Sequence, residues 1–148
     1  MYNDGGEEVN RLLLDTNVLL FHLFDEGQLT KKVRHLIGDY SNEVYVSSES
    51  VRELMNLLQS GRIRPKELKS AEDVIDFIND KTRFVIKYVK EEHFRTFSKL
   101  PFYDDHRDQR DRMIIAHAIT ENLILISSDT KFFRYERNGL NWVYNNKK

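Results

Sequence analysis

Short apolar runs recur along the chain and are separated by amphipathic stretches. The first run, RLLLD at 11–15, is followed by similar β-forming runs at 44–46, 84–89, 123–126 and 142–144. A short continuous apolar run is typical of a strand that is buried on both faces, as in a parallel sheet. These five segments are therefore the predicted strands.

The segments between these runs have the spacing of helices. Ile114 and Ala118 follow Asp111 at helical intervals, so the three share one face of a helix. Ser50 precedes Glu53 in the pattern of a capping box at the start of another helix. Helices are predicted at 17–24, 30–40, 50–59, 65–80, 91–100 and 111–119, with one helical turn at 130–135. Strands alternating with helices predict an α/β fold with a mostly parallel sheet.

Length and composition fit one folded domain. The 148 residues are 40% hydrophobic and 32% charged, which predicts a single domain at 11–148 after a flexible polar tail at 1–10. The absence of cysteine excludes a disulfide scaffold, a thiolate metal site and a cysteine nucleophile. The chain shows no leader-like start and no apolar stretch long enough for a membrane span, so a cytoplasmic protein is expected. A net charge of −1 disfavours a strongly basic nucleic-acid binder.

Four acidic residues stand at positions where the pattern favours other residue types. Asp15 ends the first strand and Asp129 follows the fourth, and ligands of parallel sheets bind beyond the carboxyl ends of the strands. Asp111 heads the apolar face of its helix, and Glu53 flanks a leucine stripe. Clustered carboxylates repel unless they are protonated or bind a cation, and hard oxygen donors favour Mg²⁺ or Mn²⁺. Each acid taken singly also suits a helix cap or a turn.

Four sequence segments carry these acids, each in a distinctive motif. They are LLLDTNVLLF, YVSSESVREL followed by SGRI, HRDQRDRMIIAHAI, and LILISSDTKFF. In this order they resemble the motifs of PIN domains (PilT N-terminus), particularly those of VapC-type toxins, and they cover most of residues 11–133. Two features depart from the family pattern. Gln109 and Arg110 replace the usual Pro-Phe pair, and Glu49 has no place in the motifs.

The resemblance implies a three-layer α/β/α fold and a metal-dependent ribonuclease that a cognate antitoxin usually holds inactive. It also implies a homodimer. Four residues match the acidic positions of the family: Asp15, Glu53, Asp111 and Asp129. Asp108 matches the extra acid of one subgroup. Three residues match the small polar positions beside the metal site: Thr16, Asn17 and Ser127.

The chemistry of phosphodiester cleavage assigns a role to each acid. Water must be deprotonated and the leaving oxygen stabilised, and metals held by carboxylates do both. We expect Asp15, Asp111 and Asp129 to be the main Mg²⁺ or Mn²⁺ ligands, with Glu53 orienting water or completing a second site. Asp108 is expected to act from a more remote position.

RNA binding requires cationic side chains near the phosphates. The candidates are Arg107, Arg110 and Arg112, which flank the acids, and Arg62 and Arg64 in a basic stretch at 59–70. A solvated surface is the alternative for the stretch at 59–70.

Aromatic and histidine side chains near the acids have two interpretations each. Phe102 or Tyr103 would stack on an unpaired base or pack within the fold. His106 and His117 offer further metal ligands or acid–base groups, although four acids already suffice for a metal site.

Two other functions are compatible with the sequence. An Asp-dependent phosphatase also begins with an apolar strand and an acid such as Asp15, but its pattern requires a second Asp where Asn17 stands. A non-catalytic RNA- or protein-binding module would keep the fold without turnover, which the intact acids disfavour. Apolar residues of the first two helices serve either the core or an interface with a second copy or an antitoxin: Leu19, Leu20, Leu23, Phe24, Val33, Leu36 and Ile37.

Overall fold

The computed structural model describes residues 9–106 and 108–146. The strands are β1 (Arg11–Leu14), β2 (Glu43–Ser47), β3 (Val85–Lys87), β4 (Ile124–Ser127) and β5 (Asn141–Tyr144). The α-helices are α1 (Thr16–Phe24), α2 (Lys31–Gly38), α3 (Ser48–Gln59), α4 (Val74–Lys81), α5 (Glu91–Lys99) and α6 (Gln109–Glu121). Short 3₁₀ helices lie at Glu26–Gln28, Ala71–Asp73 and Thr130–Asn138. Within the described part, no helix combines the length and apolar character needed to cross a membrane. Most of the tail predicted at 1–10 lies outside the described residues.

The five strands form one parallel sheet in the order β3-β2-β1-β4-β5. The central strand is β1, in which Leu13 aligns with Tyr45 of β2 and Leu125 of β4. Since both faces of β1 are covered, Leu12, Leu13 and Leu14 are fully buried. The alternation of strands and helices therefore predicted the sheet correctly.

Helices cover both faces of the sheet, because successive strand residues point to opposite sides. Leu12 and Leu14 belong to a first core that contains apolar residues of α1 to α4. Leu13 belongs to a second core, formed with apolar residues of α6 and of the 3₁₀ helix Thr130–Asn138. The expected three-layer α/β/α architecture is confirmed.

The apolar residues of α1 and α2 pack within this chain. Leu19, Val33 and Ile37 are buried in the first core. The others are partly buried and pack against it: Leu20, Leu23, Phe24 and Leu36. Packing in the core of this chain therefore accounts for the apolar residues of α1 and α2, and these residues give no separate support for an interface with another chain.

The predicted helix at 65–80 begins later than expected. After α3, Gly61 takes a left-handed backbone (φ 76°), and the N–H of Arg62 donates to the Leu57 carbonyl, which closes the helix end. Residues 62–70 then contain no helix, although Leu68 is buried in the first core. An irregular loop supplies Leu68 to the core, so its apolar character did not indicate a helix.

Candidate functional site

The predicted acids converge on one cavity at the carboxyl end of the sheet. β1 ends one residue before Asp15 and β4 ends two residues before Asp129, and these two strands are neighbours. The cavity has a volume of about 120 Å³. Eight residues line it: Asp15, Thr16, Asn17, Glu53, Asp108, Arg110, Asp111 and Asp129. The convergence is observed, and the chemical role of each residue stays a prediction.

Asp15 is a buried carboxylate at the floor of the site. It is the N-cap of α1, where its Oδ1 accepts the Val18 N–H at 2.8 Å, and its relative exposure is 5%. The pKa of Asp15 is raised to about 7, mainly by burial and to a smaller extent by the carboxylates of Asp111 and Asp129, while the hydrogen bonds from Ser127 and Val18 act to lower it. The site therefore disfavours an uncompensated negative charge at Asp15.

Backbone contacts orient Asp129 at the end of β4. Its Oδ1 accepts the Lys131 N–H at 2.9 Å, and its own N–H donates to Ser127 Oγ at 3.0 Å. Ser127 is fully buried, so it supports the site from behind and does not line the cavity. The second oxygen of Asp129, Oδ2, lies 4.0 Å from His106 Nε2.

Arg110 spans the acidic cavity between two carboxylates. Its Nη1 lies 2.8 Å from Glu53 Oε1 on α3, and its Nη2 lies 3.3 Å from Asp108 Oδ2. The guanidinium therefore offsets the charge of Glu53 and Asp108. Arg110 is one of the two residues that depart from the family pattern, so the departure places a cation at this cavity.

Asp108 has a structural role that the motif did not indicate. It is the N-cap of α6, and its Oδ1 accepts the N–H of Arg110 at 2.9 Å and of Asp111 at 3.3 Å. Asp111 follows in the first turn of the helix. Capping thus accounts for the acid at position 108 without a metal.

Hydroxyl groups tie the helices around the site together. Thr16 Oγ1 and Ser50 Oγ are hydrogen-bonded at 2.9 Å, which joins α1 to α3. The predicted Ser50–Glu53 capping box is not formed, because Ser47 is the N-cap and accepts the Glu49 N–H. The sequence pattern marked Ser50 only as a cap candidate and so missed its contact with Thr16.

His106 faces the acids from the loop before α6. Its Nε2 lies 3.5 Å from Asp111 Oδ2, and one ligand atom of each of His106, Asp111 and Asp129 lies within 4.8 Å of the others. His106 opens the motif HRDQRDRMIIAHAI and was a candidate ligand, but the sequence did not show that its ring faces the acids, because that orientation depends on an irregular loop.

His117 lies away from the acidic cavity, so its location contradicts a ligand role there. Its Nδ1 is 3.2 Å from Ser47 Oγ, and its ring centroid is 3.9 Å from that of His93. Burial, together with the nearby His93, lowers the pKa of His117 to about 4.

Arg112 is buried, which contradicts its expected contact with RNA. Its Nη2 donates to the carbonyls of Leu100 and Pro101 at 3.3 Å, and its guanidinium lies over the rings of Phe97 and Phe102. Its relative exposure is 6%. Arg112 therefore anchors the loop that carries His106.

The remaining candidates lie outside the cavity or beyond what the structure describes. Arg62 and Arg64 are exposed and do not line it. Tyr103 packs edge-on against Tyr135 at 5.5 Å, whereas Phe102 is 57% exposed beside Arg112. Glu49 pairs with Arg52, and Arg107 lies outside the described residues.

The donor set of the cavity fits a divalent cation. Its carboxylates come from four separate elements, and carboxylate oxygens are the donors that Mg²⁺ and Mn²⁺ prefer. The buried Asp15 charge is a further reason, because a cation would offset both its desolvation and its repulsion by neighbours.

Comparisons with known proteins give a consistent family assignment. The sequence model of the PIN domain matches residues 12–138. A similar fold occurs in VapBC2 of Rickettsia felis bound to a promoter DNA fragment, with a TM-score of 0.64 and 19% identity over 90% of this chain and 98% of that one. Another occurs in VapBC-1 of nontypeable Haemophilus influenzae, with a TM-score of 0.62 and 20% identity over 93% of this chain and 99% of that one. FitAcB of Neisseria gonorrhoeae is also similar (TM-score 0.62, 20%, 90% and 96%). No curated protein sequence matches the chain. The match over most of the chain shows that this protein belongs to the PIN domain family.

Proposed function

We propose that this protein is a metal-dependent endoribonuclease that hydrolyses phosphodiester bonds and acts as the toxin of a toxin–antitoxin pair. One observation carries the catalytic part of this proposal, namely the convergence of Asp15, Glu53, Asp111 and Asp129 on one cavity. Membership in the PIN domain family and the likeness to toxin–antitoxin complexes support it.

The proposed roles follow from the position of each side chain. Asp15, Asp111 and Asp129 would hold Mg²⁺ or Mn²⁺, which supplies an acidified water and offsets charge at the phosphate when it is bound. Glu53 would orient the attacking water or complete a second cation site. Ser127 would keep Asp15 and Asp129 in place through hydrogen bonds, and Thr16 and Asn17 would complete the polar wall of the cavity.

Arg110 is the proposed phosphate contact nearest to the acids. Its guanidinium is 40% exposed and already lies between Glu53 and Asp108, so a small side-chain rotation takes it from the carboxylates to an incoming phosphate. Arg62 and Arg64 would extend this contact along the RNA backbone.

A cleavage assay with matched variants tests the catalytic proposal. Single-stranded RNA labelled with a fluorophore is incubated with the protein in Mn²⁺ or Mg²⁺, with and without EDTA. We expect cleavage that EDTA abolishes and that fresh Mn²⁺ restores. The double variant Asp15→Asn/Asp129→Asn should fall to background, whereas Asp76→Asn/Asp80→Asn, which changes two exposed acids of α4 and the same charge, should stay active. Full activity of the first double variant would overturn the assignment.

The same preparation separates the competing functions. Hydrolysis of an aryl phosphate ester without RNA cleavage would indicate a phosphatase. A protein whose melting temperature does not respond to millimolar Mn²⁺ or Mg²⁺, and that cleaves neither substrate, would be a non-catalytic RNA- or protein-binding module.

The proposed protein partners are an antitoxin and a second copy of this chain. The similar structures from Rickettsia felis and Haemophilus influenzae are of VapBC proteins. A further similar structure, from Klebsiella pneumoniae, is described as a toxin–antitoxin complex. Co-expression of the product of a small adjacent reading frame should give a stoichiometric complex in which RNA cleavage is suppressed. Light scattering of the isolated chain should give the mass of a dimer, and a monomer at all concentrations would contradict that part.

A further inference from the structure

The loop after α5, at 100–106, holds His106 in one orientation. The His106 N–H donates to the Tyr103 carbonyl at 3.1 Å, and Asp105 beside it pairs with Arg134 of the 3₁₀ helix. The imidazole packs edge-on against Phe132 and Tyr135, with centroids 5.5 Å apart in both cases. His106 has a relative exposure of 4%, so its ring has little freedom to turn.

The two ring nitrogens of His106 have different surroundings. Nδ1 is hydrogen-bonded to the Tyr135 hydroxyl at 2.8 Å. Nε2 is buried, and among the described residues it has no hydrogen-bond partner. It faces Asp111 Oδ2 at 3.5 Å and Asp129 Oδ2 at 4.0 Å. An unpartnered buried nitrogen aimed at two carboxylates needs a physical explanation.

The observed separations are those of ligands that share one cation. With metal–ligand bonds of roughly 2.1 Å, neighbouring ligands of an octahedral ion lie about 3 Å apart and opposite ligands about 4.2 Å apart. The distances from His106 Nε2 to the two carboxylate oxygens fall between these limits. A cation between the three atoms therefore requires only small side-chain adjustments.

Tyr135 allows the imidazole to present a lone pair to the cation. A phenol both donates and accepts hydrogen bonds, so the Tyr135 hydroxyl is able to accept a hydrogen bond from Nδ1–H. With Nδ1–H donating to Tyr135, the free lone pair is on Nε2. A hydrogen bond from the ring nitrogen that does not bind the metal is the usual way in which proteins orient a metal-binding histidine.

A second group of candidate ligands among the described residues, His93, His117 and Glu121, does not have this arrangement. The Lys90 N–H donates to His93 Nδ1, so the proton of His93 is on Nε2, which donates to Glu121 at 2.8 Å. Lys87 Nζ occupies the other oxygen of Glu121 at 3.0 Å. Burial acts to raise the pKa of Glu121, but hydrogen bonds from His93 and Lys87 hold it below its ordinary value. His117 Nε2 also lacks a hydrogen-bond partner, but its cluster offers one carboxylate, Glu121, whose two oxygens are already paired, whereas His106 Nε2 faces two carboxylates.

We propose that His106 is a nitrogen ligand of the cation held by Asp111 and Asp129, and that it makes the site selective for Mn²⁺ over Mg²⁺. Imidazole nitrogen binds transition metals, whereas Mg²⁺ prefers oxygen donors. The inference rests on the cation site of the proposed function, but it does not depend on RNA cleavage.

Pulsed electron paramagnetic resonance of bound Mn²⁺ tests the proposal directly. Tag-free protein is loaded with substoichiometric Mn²⁺, and electron spin echo modulation from ¹⁴N is recorded. We expect ¹⁴N coupling in the wild type and its replacement by a ¹⁵N pattern after labelling with ¹⁵N-histidine. The coupling should be absent in His106→Gln and retained in the control His35→Gln, which alters an exposed histidine of α2.

Metal affinity provides a second, independent measurement. By calorimetry, His106→Gln should weaken Mn²⁺ binding about tenfold or more and Mg²⁺ binding much less. Mn²⁺ that binds the wild type without ¹⁴N coupling would overturn the ligand role of His106 and leave the cation site standing. Wild-type protein that binds no Mn²⁺ would overturn both. The absence of coupling in the wild type overturns the proposal even if the variant fails to fold, and coupling that persists in a folded His106→Gln variant would assign the nitrogen to another histidine and overturn it as well.

Discussion

Asp15 combines a structural role with a charge that the fold does not favour. Its carboxylate caps α1, which any N-cap acceptor would do, but it is buried beside two other acids. The pKa of the folded carboxyl is raised from 3.8 to about 7. The destabilisation that the ionised Asp15 carboxylate causes is therefore absent at low pH, grows as the pH rises above about 4, and is complete above about pH 7.

The variant Asp15→Asn should be more stable than the wild type when no metal is bound. The amide keeps the hydrogen bond to the Val18 N–H and removes the buried charge. Above pH 7 we therefore expect the melting temperature to rise by several degrees, since each kcal/mol of unfolding free energy corresponds to about 2–4 °C. Mn²⁺ should then stabilise the wild type and not the variant. Differential scanning fluorimetry in EDTA and in Mn²⁺ measures both effects. Asp25→Asn, at an exposed acid, is the control, and a variant less stable than the wild type in EDTA at pH 8 would contradict the account.

His117 predicts a pH dependence of the opposite sign. Its pKa is lowered from 6.5 to about 4 in the folded chain, so the unfolded chain takes up its proton first as the pH falls. The contribution to stability is complete above pH 6.5 and is lost between pH 6.5 and 4, by an amount on the order of 3 kcal/mol.

Urea unfolding, followed through the fluorescence of the single tryptophan Trp142, measures this loss. His117→Asn keeps a polar atom near Ser47 and removes the titrating ring. Its stability should therefore fall less than that of the wild type between pH 7.5 and pH 4. His35→Asn should keep the wild-type slope, and equal slopes in the His117 variant would exclude His117 as the cause.

At the level of elements, variants at the N-cap of α6 test the capping role of Asp108 separately from a role in metal binding. Asp108→Asn retains an oxygen for the N–H groups of Arg110 and Asp111, so we expect nearly unchanged stability and Mn²⁺ affinity. Asp108→Ala removes the cap and should cost about 1 kcal/mol of unfolding free energy. Urea unfolding and Mn²⁺ titration of both variants provide the comparison. A loss of Mn²⁺ affinity in Asp108→Asn as large as in Asp111→Asn would instead make Asp108 a ligand.

Elements with a clear period were predictable from the sequence, and irregular segments were not. β1 and α6 were found because burial imposes a simple spacing on each. Residues 65–70 were predicted as helix but belong to a loop, because one buried residue, Leu68, carries no information about the backbone around it. The helical turn predicted at 130–135 extends to Asn138 as a 3₁₀ helix and stops at Gly139, which has a left-handed backbone (φ 99°).

Convergence of the acids was predictable, whereas their neighbours were not. Parallel strands bring their carboxyl ends to one edge, and this rule placed Asp15 near Asp129. The burial of Arg112 and the orientation of His106 depend on aromatic and carbonyl partners in a loop without regular structure. Residue type and proximity along the chain do not contain that information.

For the whole molecule, a net charge of −1 predicts RNA binding through few contacts. If Arg62, Arg64 and Arg110 are the phosphate contacts, the logarithm of affinity should fall with the logarithm of salt concentration with a slope of about −2. Fluorescence anisotropy with the non-cleaving Asp15→Asn variant measures the slope. Arg62→Gln/Arg64→Gln should reduce its magnitude by about 1.4, because each single-strand contact contributes roughly 0.7.

The matched control for this measurement is Lys31→Gln/Lys32→Gln, which removes two exposed charges of α2. This control changes the net charge equally and should leave the slope as it is. An unchanged slope in the arginine double variant would show that RNA does not contact residues 62 and 64.

The central position of β1 sets the order in which the site can assemble as the chain is made. β1 and β2 leave the ribosome early and pair with each other, but the second partner of β1 is β4, near the end of the sequence. The Asp15 N–H donates to the Ile126 carbonyl, and Asp111 and Asp129 also come from the last third of the chain. A nascent chain therefore lacks Asp111 and Asp129 while β1 and β2 are already present, so activity that depends on these two acids cannot begin before β4 has been made and added to the sheet.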